Sequence, residues 1–348
     1  MYRVKMETGR FFPSGFFVSI WRAIERVCYT DFIFINAAFE ILQREVEELS
    51  EILDLAAFLR GKCLQPAVLG KSGAQVYFVD TQYVWKYARR ADVPQAQDWD
   101  SYVREARMYA AFREKEAGFM PDTLYIGWTP QEISLLLVRG QPLQKTALDV
   151  RLLDRVMDLL VKIHHFPPPD FLEKPRGFIP PGGEEIGAWL EGWESVLAEH
   201  PGMFSHRAAR FVAAHYTQVN REMENRPIGL VHGDFHIENL LNLPDGQVAA
   251  CDWQSAGLGD PAGDLSFLRS RLCADGIKID EAALIRAYCA AAVRAGYSCD
   301  TQAVARSIAL ANVNTSFEFW HRYLHNTDAG RVANVFEKMV EDMRRLMA

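Results

Sequence analysis

The segment from Leu230 to Asp264 reads LVHGDFHIENLLNLPDGQVAACDWQSAGLGDPAGD, and its polar groups stand at spacings that could handle phosphate and a proton. Its apolar runs Leu240–Leu243 and Gln247–Cys251 are joined by Pro244-Asp245-Gly246, a strong turn signal that predicts an antiparallel hairpin. Asn239 precedes the first run and Asp252 follows the second, so pairing would bring their Cα atoms to roughly 5 Å. A carboxylate beside an amide oxygen suits Mg²⁺, which takes one or two carboxylates and completes its shell with phosphate and water. Asp234 lies in the loop leading into the hairpin. It can face that metal without ligating it, and a carboxylate there suits the acceptance of a hydroxyl proton during phosphoryl transfer.

These groups need elements to hold them. Val76–Asp80 and Tyr83–Tyr87 are β-rich runs separated by Thr81-Gln82, which predicts a hairpin carrying Lys86. Asp100–Glu116 predicts a helix with Val103, Met108, Ala111 and Phe112 on one side, and Ile133–Val138 another strand. After Gly140 the chain becomes mainly helical, with helices predicted over Leu148–Ile163, 184–199, 205–224, 281–294 and 301–347. Phe39–Leu59 has its apolar residues at helical steps and an acidic outer face, which predicts an amphipathic helix. Residues 1–37 are aromatic and follow no clean period.

A D-x-x-x-x-N spacing followed by an aspartate about a dozen residues later is the catalytic arrangement of kinases. HGDFHIENLL followed by CDWQSAGLGDPAGDL resembles the signature of the aminoglycoside phosphotransferase and choline kinase family. The resemblance implies an α+β, two-lobed protein kinase-like fold: a small antiparallel-sheet N-terminal lobe (63–140) and a larger, mainly helical C-terminal lobe (141–348), preceded by an extension (1–62). It implies that Asp234 is the catalytic base and that Asn239 and Asp252 bind Mg²⁺. It also implies that His232 is structural and that Asp264 braces the catalytic loop.

Upstream, Leu69–Tyr77 resembles the short phosphate-covering loop of antibiotic kinases, with Gly70, Ser72 and Gly73 letting backbone N–H groups approach phosphate. A Walker A reading of Gly70-Lys71-Ser72 fails, because Gln65 stands where its first glycine belongs. Lys86 matches the strand lysine that holds the α- and β-phosphates. Glu105 is its expected partner, ahead of Glu114 and Glu116 near the helix end. Backbone groups around Val138–Gln141, with Val138 and Gln141 at the ends, would bind the adenine edge.

The implied activity is transfer of the γ-phosphate of ATP to a hydroxyl of a small molecule. An aminoglycoside or antibiotic-type acceptor is favoured, with a choline-like amine or a sugar as the alternative. A protein kinase fits less well, since Gly233 replaces the usual Arg and no A-P-E follows Asp252. A non-catalytic scaffold would be expected to lack one of Lys86, Asp234, Asn239 and Asp252. Trp253 and Gln254 stand in place of the Phe and Gly of D-F-G, which puts an in/out switch in doubt.

The bulk properties agree with a cytoplasmic enzyme. With 49% apolar and 24% charged residues the chain can bury a core. Its net charge of −7 argues against a nucleic acid partner. No run is long and apolar enough to predict a membrane span. The six cysteines show no C-x-x-C pair and are expected to be free thiols. His164 and His165 are expected to cap and pack; Glu184, Glu185, Glu318, Glu341 and Asp342 could hold an amine of the acceptor, with solvated surface the favoured reading of each.

Overall fold

The computed structural model describes residues 55–67, 74–93, 95–144, 149–173, 181–224, 226–277 and 279–348. The chain divides into two units, Met1–Lys62 and Cys63–Ala348. In the first, residues 55–59 are helical, and the rest of the amphipathic helix predicted over Phe39–Leu59 lies outside the described residues.

In the second unit the β-rich runs build an antiparallel five-stranded sheet. β1 (Leu64–Pro66), β2 (Gln75–Val79), β3 (Tyr83–Arg89), β4 (Thr123–Trp128) and β5 (Glu132–Val138) lie in the order β1-β2-β3-β5-β4. Lys86 is opposite Val76 on one side and Leu135 on the other, so it projects from the central strand. Helix α1 (Ala96–Glu114) covers the sheet with Tyr102, Ala106, Tyr109 and Phe112, which recur at helical steps and are at most 1% exposed. This buried face is turned from the predicted one: Val103 and Ala111 are only partly covered, and Glu105 is buried instead.

Below the sheet, β6 (Gln141–Pro142) pairs with β8 (Leu240–Asn242), which pairs with β9 (Val248–Ala250) in the predicted hairpin. Two short strands not anticipated, β7 (Gly229–Val231) and β10 (Gly257–Gly259), pair across the base of the loop that holds Asp234. Around them stand helices α2 (Val150–His164), α3 (Gly183–Ala198), α4 (His206–Met223), α5 (Ala262–Ala274) and α6 (Glu281–Arg294). The protein is therefore α+β, a small antiparallel sheet followed by a larger helical part.

The C-terminal stretch 301–347, expected to be helical, is two helices, α7 (Thr301–Phe319) and α8 (Ala329–Met347), separated by a 3₁₀ turn at Trp320–Tyr323. At the break the chain is met by α3, distant in sequence. The buried indole N–H of Trp193 donates to the carbonyls of Ser316 (3.2 Å) and Phe317 (3.1 Å), near the end of α7. The His321 ring then packs so tightly on Gly192 that a Cβ there would lie 2.3 Å from it. Asp328 restarts the helix by capping the N–H of Arg331.

Two expectations are corrected here. Cys289 and Cys299 form a disulfide, because the chain turns back at Gly296 in the left-handed region and brings the two Cα atoms to 5.2 Å. Cys63, Cys251 and Cys273 are free, as expected. Asp342 is buried rather than solvated: its side chain is 0% exposed and accepts from Lys338 (2.6 Å) and Asn312 (2.8 Å), with Arg345 at 3.2 Å. Glu281 joins the network through Lys338, Arg269 and Arg345. Replacing Asp342 with Ala should cost about 3 kcal/mol in urea unfolding, since it strands buried donors; a loss under about 1 kcal/mol would show that solvent screens the network.

Candidate active site

Lys86 leaves the central strand and reaches two carboxylates. Its Nζ lies 2.7 Å from Glu105 Oε2 and 3.1 Å from Asp252 Oδ1. Burial alone would depress the lysine, but the charges of Glu105 and Asp252 outweigh it and hold the ammonium well above its ordinary range. Burial pushes the Glu105 carboxyl up, against the pull of Lys86. The side-chain amide of Gln254 donates to the same Glu105 oxygen at 3.3 Å. Asp252 holds this position in the left-handed region, with φ 66°, a conformation that costs a non-glycine residue free energy.

The loop between β7 and β8 is held from below by Asp264. Its Oδ2 accepts from the His232 N–H (2.8 Å) and its Oδ1 from the Gly233 N–H (2.9 Å). His164 Nε2 lies 3.2 Å from the same Oδ2, and Nδ1 lies 2.9 Å from the Tyr288 hydroxyl. Burial would raise Asp264, but these partners hold it below the usual carboxylate range. His232 is lowered by burial, which favours the neutral ring. Its Nε2 donates to the Cys251 carbonyl at 3.0 Å, and Nδ1 accepts from the Asp234 N–H at 3.3 Å. His164 is thus part of the brace and not only a packing residue.

Asn239 is the next link. Its Nδ2 donates to the carbonyl (2.9 Å) and Oδ2 (3.1 Å) of Asp234. With the amide nitrogen so engaged, the amide oxygen is the group left to accept a cation. The donor set therefore fits Mg²⁺: one amide oxygen and one carboxylate, Asp252, lining the same cleft, with room for phosphate oxygens. Among the described residues no group of three or more His, Cys, Asp and Glu is placed to hold a metal. The thiol of Cys251, beside Asp252, is pushed up to about 12 by burial and the adjacent charge, and it donates to the Asn239 carbonyl at 3.4 Å.

Lys86, Glu105, Val138, Asn239 and Asp252 line one cleft of about 700 Å³. The backbone N–H of Val138 already donates to Asp122, and that of Arg139 to Gln82. Gln141 is outside the lining and pairs with Asn242 in the small sheet. Gly70, Ser72 and Gly73 fall outside the described residues; Ala74, directly after them, lines the cleft and donates its N–H to the Tyr102 hydroxyl at 3.1 Å. Gln254, Tyr288 and the bracing role of His164 carried no recognisable spacing in the sequence, because their contacts join elements far apart in the chain.

A sequence model of the phosphotransferase enzyme family matches residues 66–299. The chain belongs to that family. Its members transfer phosphate to small molecules, and solved structures carry the same fold. Aminoglycoside phosphotransferase APH(2'')-Ib bound to ADP is 14% identical, with 85% of this chain and 98% of that chain aligned at TM-score 0.52. Choline kinase LicA from Streptococcus pneumoniae is 14% identical over 85% of this chain and 99% of its own, at TM-score 0.54. Amicoumacin kinase hAmiN, in complex with AMP-PNP, Ca²⁺ and Ami, is 12% identical over 81% and 88%, at TM-score 0.54. No curated protein sequence matches the chain. The phosphotransferase has no helix, among the described residues, long and apolar enough to cross a membrane.

Gly233 is where the loop of this phosphotransferase tolerates no side chain. It has φ 79°, and a Cβ would lie 2.2 Å from the Ser255 carbonyl oxygen. Gly246 has φ 83° but open space around it. Both glycine-to-alanine changes meet the left-handed penalty of about 1 kcal/mol, and Gly233→Ala alone meets the clash. Gly233→Ala should therefore lower the urea midpoint clearly more than Gly246→Ala; equal midpoints would show that the loop at Gly233 and the segment at Ser255 part without cost.

Proposed function

We propose that the protein is an ATP- and Mg²⁺-dependent kinase that phosphorylates a hydroxyl group of a small molecule. The observation that carries this reading is the convergence of Lys86, Glu105, Asn239 and Asp252 on one cleft, with Asp234 hydrogen-bonded to Asn239. Adenine would lie between the apolar side chains of Val76 and Val84 above and Leu143 and Leu241 below, with its polar edge toward the backbone of Val138–Gln141. The amide of Val138 is engaged, so the carbonyls and the amide of Gly140 are the groups offered there. Gly70, Ser72 and Gly73 would cover the phosphates, and Lys86 would neutralise the α- and β-phosphate oxygens while Glu105 holds its ammonium in place. Asn239 Oδ1 and Asp252 would hold Mg²⁺, whose contribution is to neutralise phosphate charge.

Asp234 orients the acceptor hydroxyl and takes its proton. The acceptor oxygen bonds to the γ-phosphorus as the bond to the bridging oxygen breaks, and the nucleoside diphosphate leaves with that electron pair. A hydroxylated aminoglycoside or other antibiotic is the favoured acceptor, with a choline-like amine or sugar as the second reading. The family to which the chain belongs supports a small-molecule acceptor, and the region between α2 and β7 together with the C-terminal helices is where the choice among them would be made.

The test is ATP consumption with Mg²⁺ against a panel of aminoglycosides, other hydroxylated antibiotics, choline-like amines and sugars. Turnover with one class should fall about 10²- to 10⁴-fold in Asp234→Asn, while AMP-PNP affinity stays within a few fold. Failure of the wild type to bind ATP with Mg²⁺ would sink the reading.

A further inference from the structure

His236 is buried beside the proposed base and is not used by the mechanism above. The residue is 8% exposed, anchored by its buried neighbours Phe235 and Ile237. Its ring stands between two carboxylates: Nε2 is 3.5 Å from Asp234 Oδ2, and Nδ1 is 3.6 Å from Glu238 Oε2. Nδ1 is fully covered and makes no hydrogen bond. Glu238 is held in turn by Arg271 of α5, at 3.2 Å. One turn earlier on the same helix, Phe267 packs against the imidazole at 6.2 Å between centroids. A histidine that only filled space would be expected to settle its nitrogens on backbone groups; this one is aimed at Asp234 by one neighbour and backed by another. The separations are slightly long for hydrogen bonds, which is common before substrate closes a site.

We propose that His236 is a positioning residue: its imidazole, clamped between Glu238 and Asp234, occupies Oδ2 of Asp234 and leaves Oδ1 to meet the acceptor hydroxyl. The proposal rests on the reading of Asp234 as the base. Asn239 also reaches Oδ2, so together the two residues fix the carboxylate rotamer, and Glu238 fixes the plane of the ring.

Two measurements test this, one of them independent of any acceptor. In nitrogen-resolved NMR spectra of the histidine rings of the full chain, with the His236 signals identified by their loss in His236→Gln, Asp234→Asn should shift Nε2 and Glu238→Gln should shift Nδ1. Glu238 is half exposed, so its substitution leaves the fold intact. If neither substitution moves either nitrogen, the clamp does not exist and the proposal is overturned. With a turned-over acceptor, His236→Ala should lower kcat about 10- to 100-fold with KM for ATP within twofold. His236→Gln, whose amide reaches the Nε2 position, should recover most of the loss. An unchanged kcat in His236→Ala, or a loss that Gln does not recover, overturns the positioning role. A silent acceptor panel with shifted ring nitrogens would instead count against the kinase reading and leave the clamp standing.

Discussion

Lys86 carries its charge on a side chain only 16% exposed, and the effective penalty for stripping water from such a group is several kcal/mol. Two carboxylates on separate elements offset it, and much of the architecture follows from keeping them there. Glu105 must point at the sheet, which sets the rotation of the helix over Ala96–Glu114 and explains why an acid interrupts its apolar face. Asp252 must reach up from the end of a strand in the helical part, which it does in the left-handed backbone region, where aspartate is one of the few side chains besides glycine found with any frequency. Gln254, two residues on, returns to Glu105 and closes the circuit. The sheet, its helix and the segment after the last hairpin are thus tied at one point.

A second buried charge organises the other side of the cleft. Asp264, 1% exposed, collects two consecutive backbone N–H groups and an imidazole, and so fixes the turn at His232 and Gly233 from which Asp234 projects. Tyr288 reaches the same point from α6 through His164, so the helix that carries Cys289 is joined to the loop by a hydrogen-bond chain. The left-handed Gly233, pressed against Ser255, lets the loop and the segment after Asp252 lie close enough to share a site.

Much of this was legible in the sequence because the chemistry is local in the chain. The hairpin over 240–251 could be read from two apolar runs and a Pro-Asp-Gly turn, although its register sets Asn239 opposite Cys251, one residue short of the expected Asp252. Lys86 and Glu105 were singled out by the family resemblance, on a strand and a helix that the sequence does show, though the helix turns a different face to the core than its apolar residues suggested. The rest depends on contacts between distant segments. Nothing near Ser316 announces that an indole from position 193 will take its carbonyl, so the break after Phe319 left no mark in a stretch that read simply as helical from 301 to 347. Asp342 reads as surface because its neighbours Glu341 and Arg344 are; only the packing of four helices buries it. Cys289 and Cys299 meet because the chain reverses at Gly296, and their spacing matches no familiar framework.

Trp253, in the position after Asp252, is 0% exposed, donates its indole N–H to the Ala250 carbonyl at 3.1 Å and packs edge-on to Phe112 at 4.6 Å. Turning it outward would return a large ring to water, at about 2–3 kcal/mol, and break a buried hydrogen bond, at about 1 kcal/mol more. A gap of that size leaves fewer than about one molecule in a hundred rearranged at any instant. A compound that could bind only behind a displaced indole would find its place closed nearly all the time, and would give up about a hundredfold or more in affinity to one shaped to the cleft as it stands.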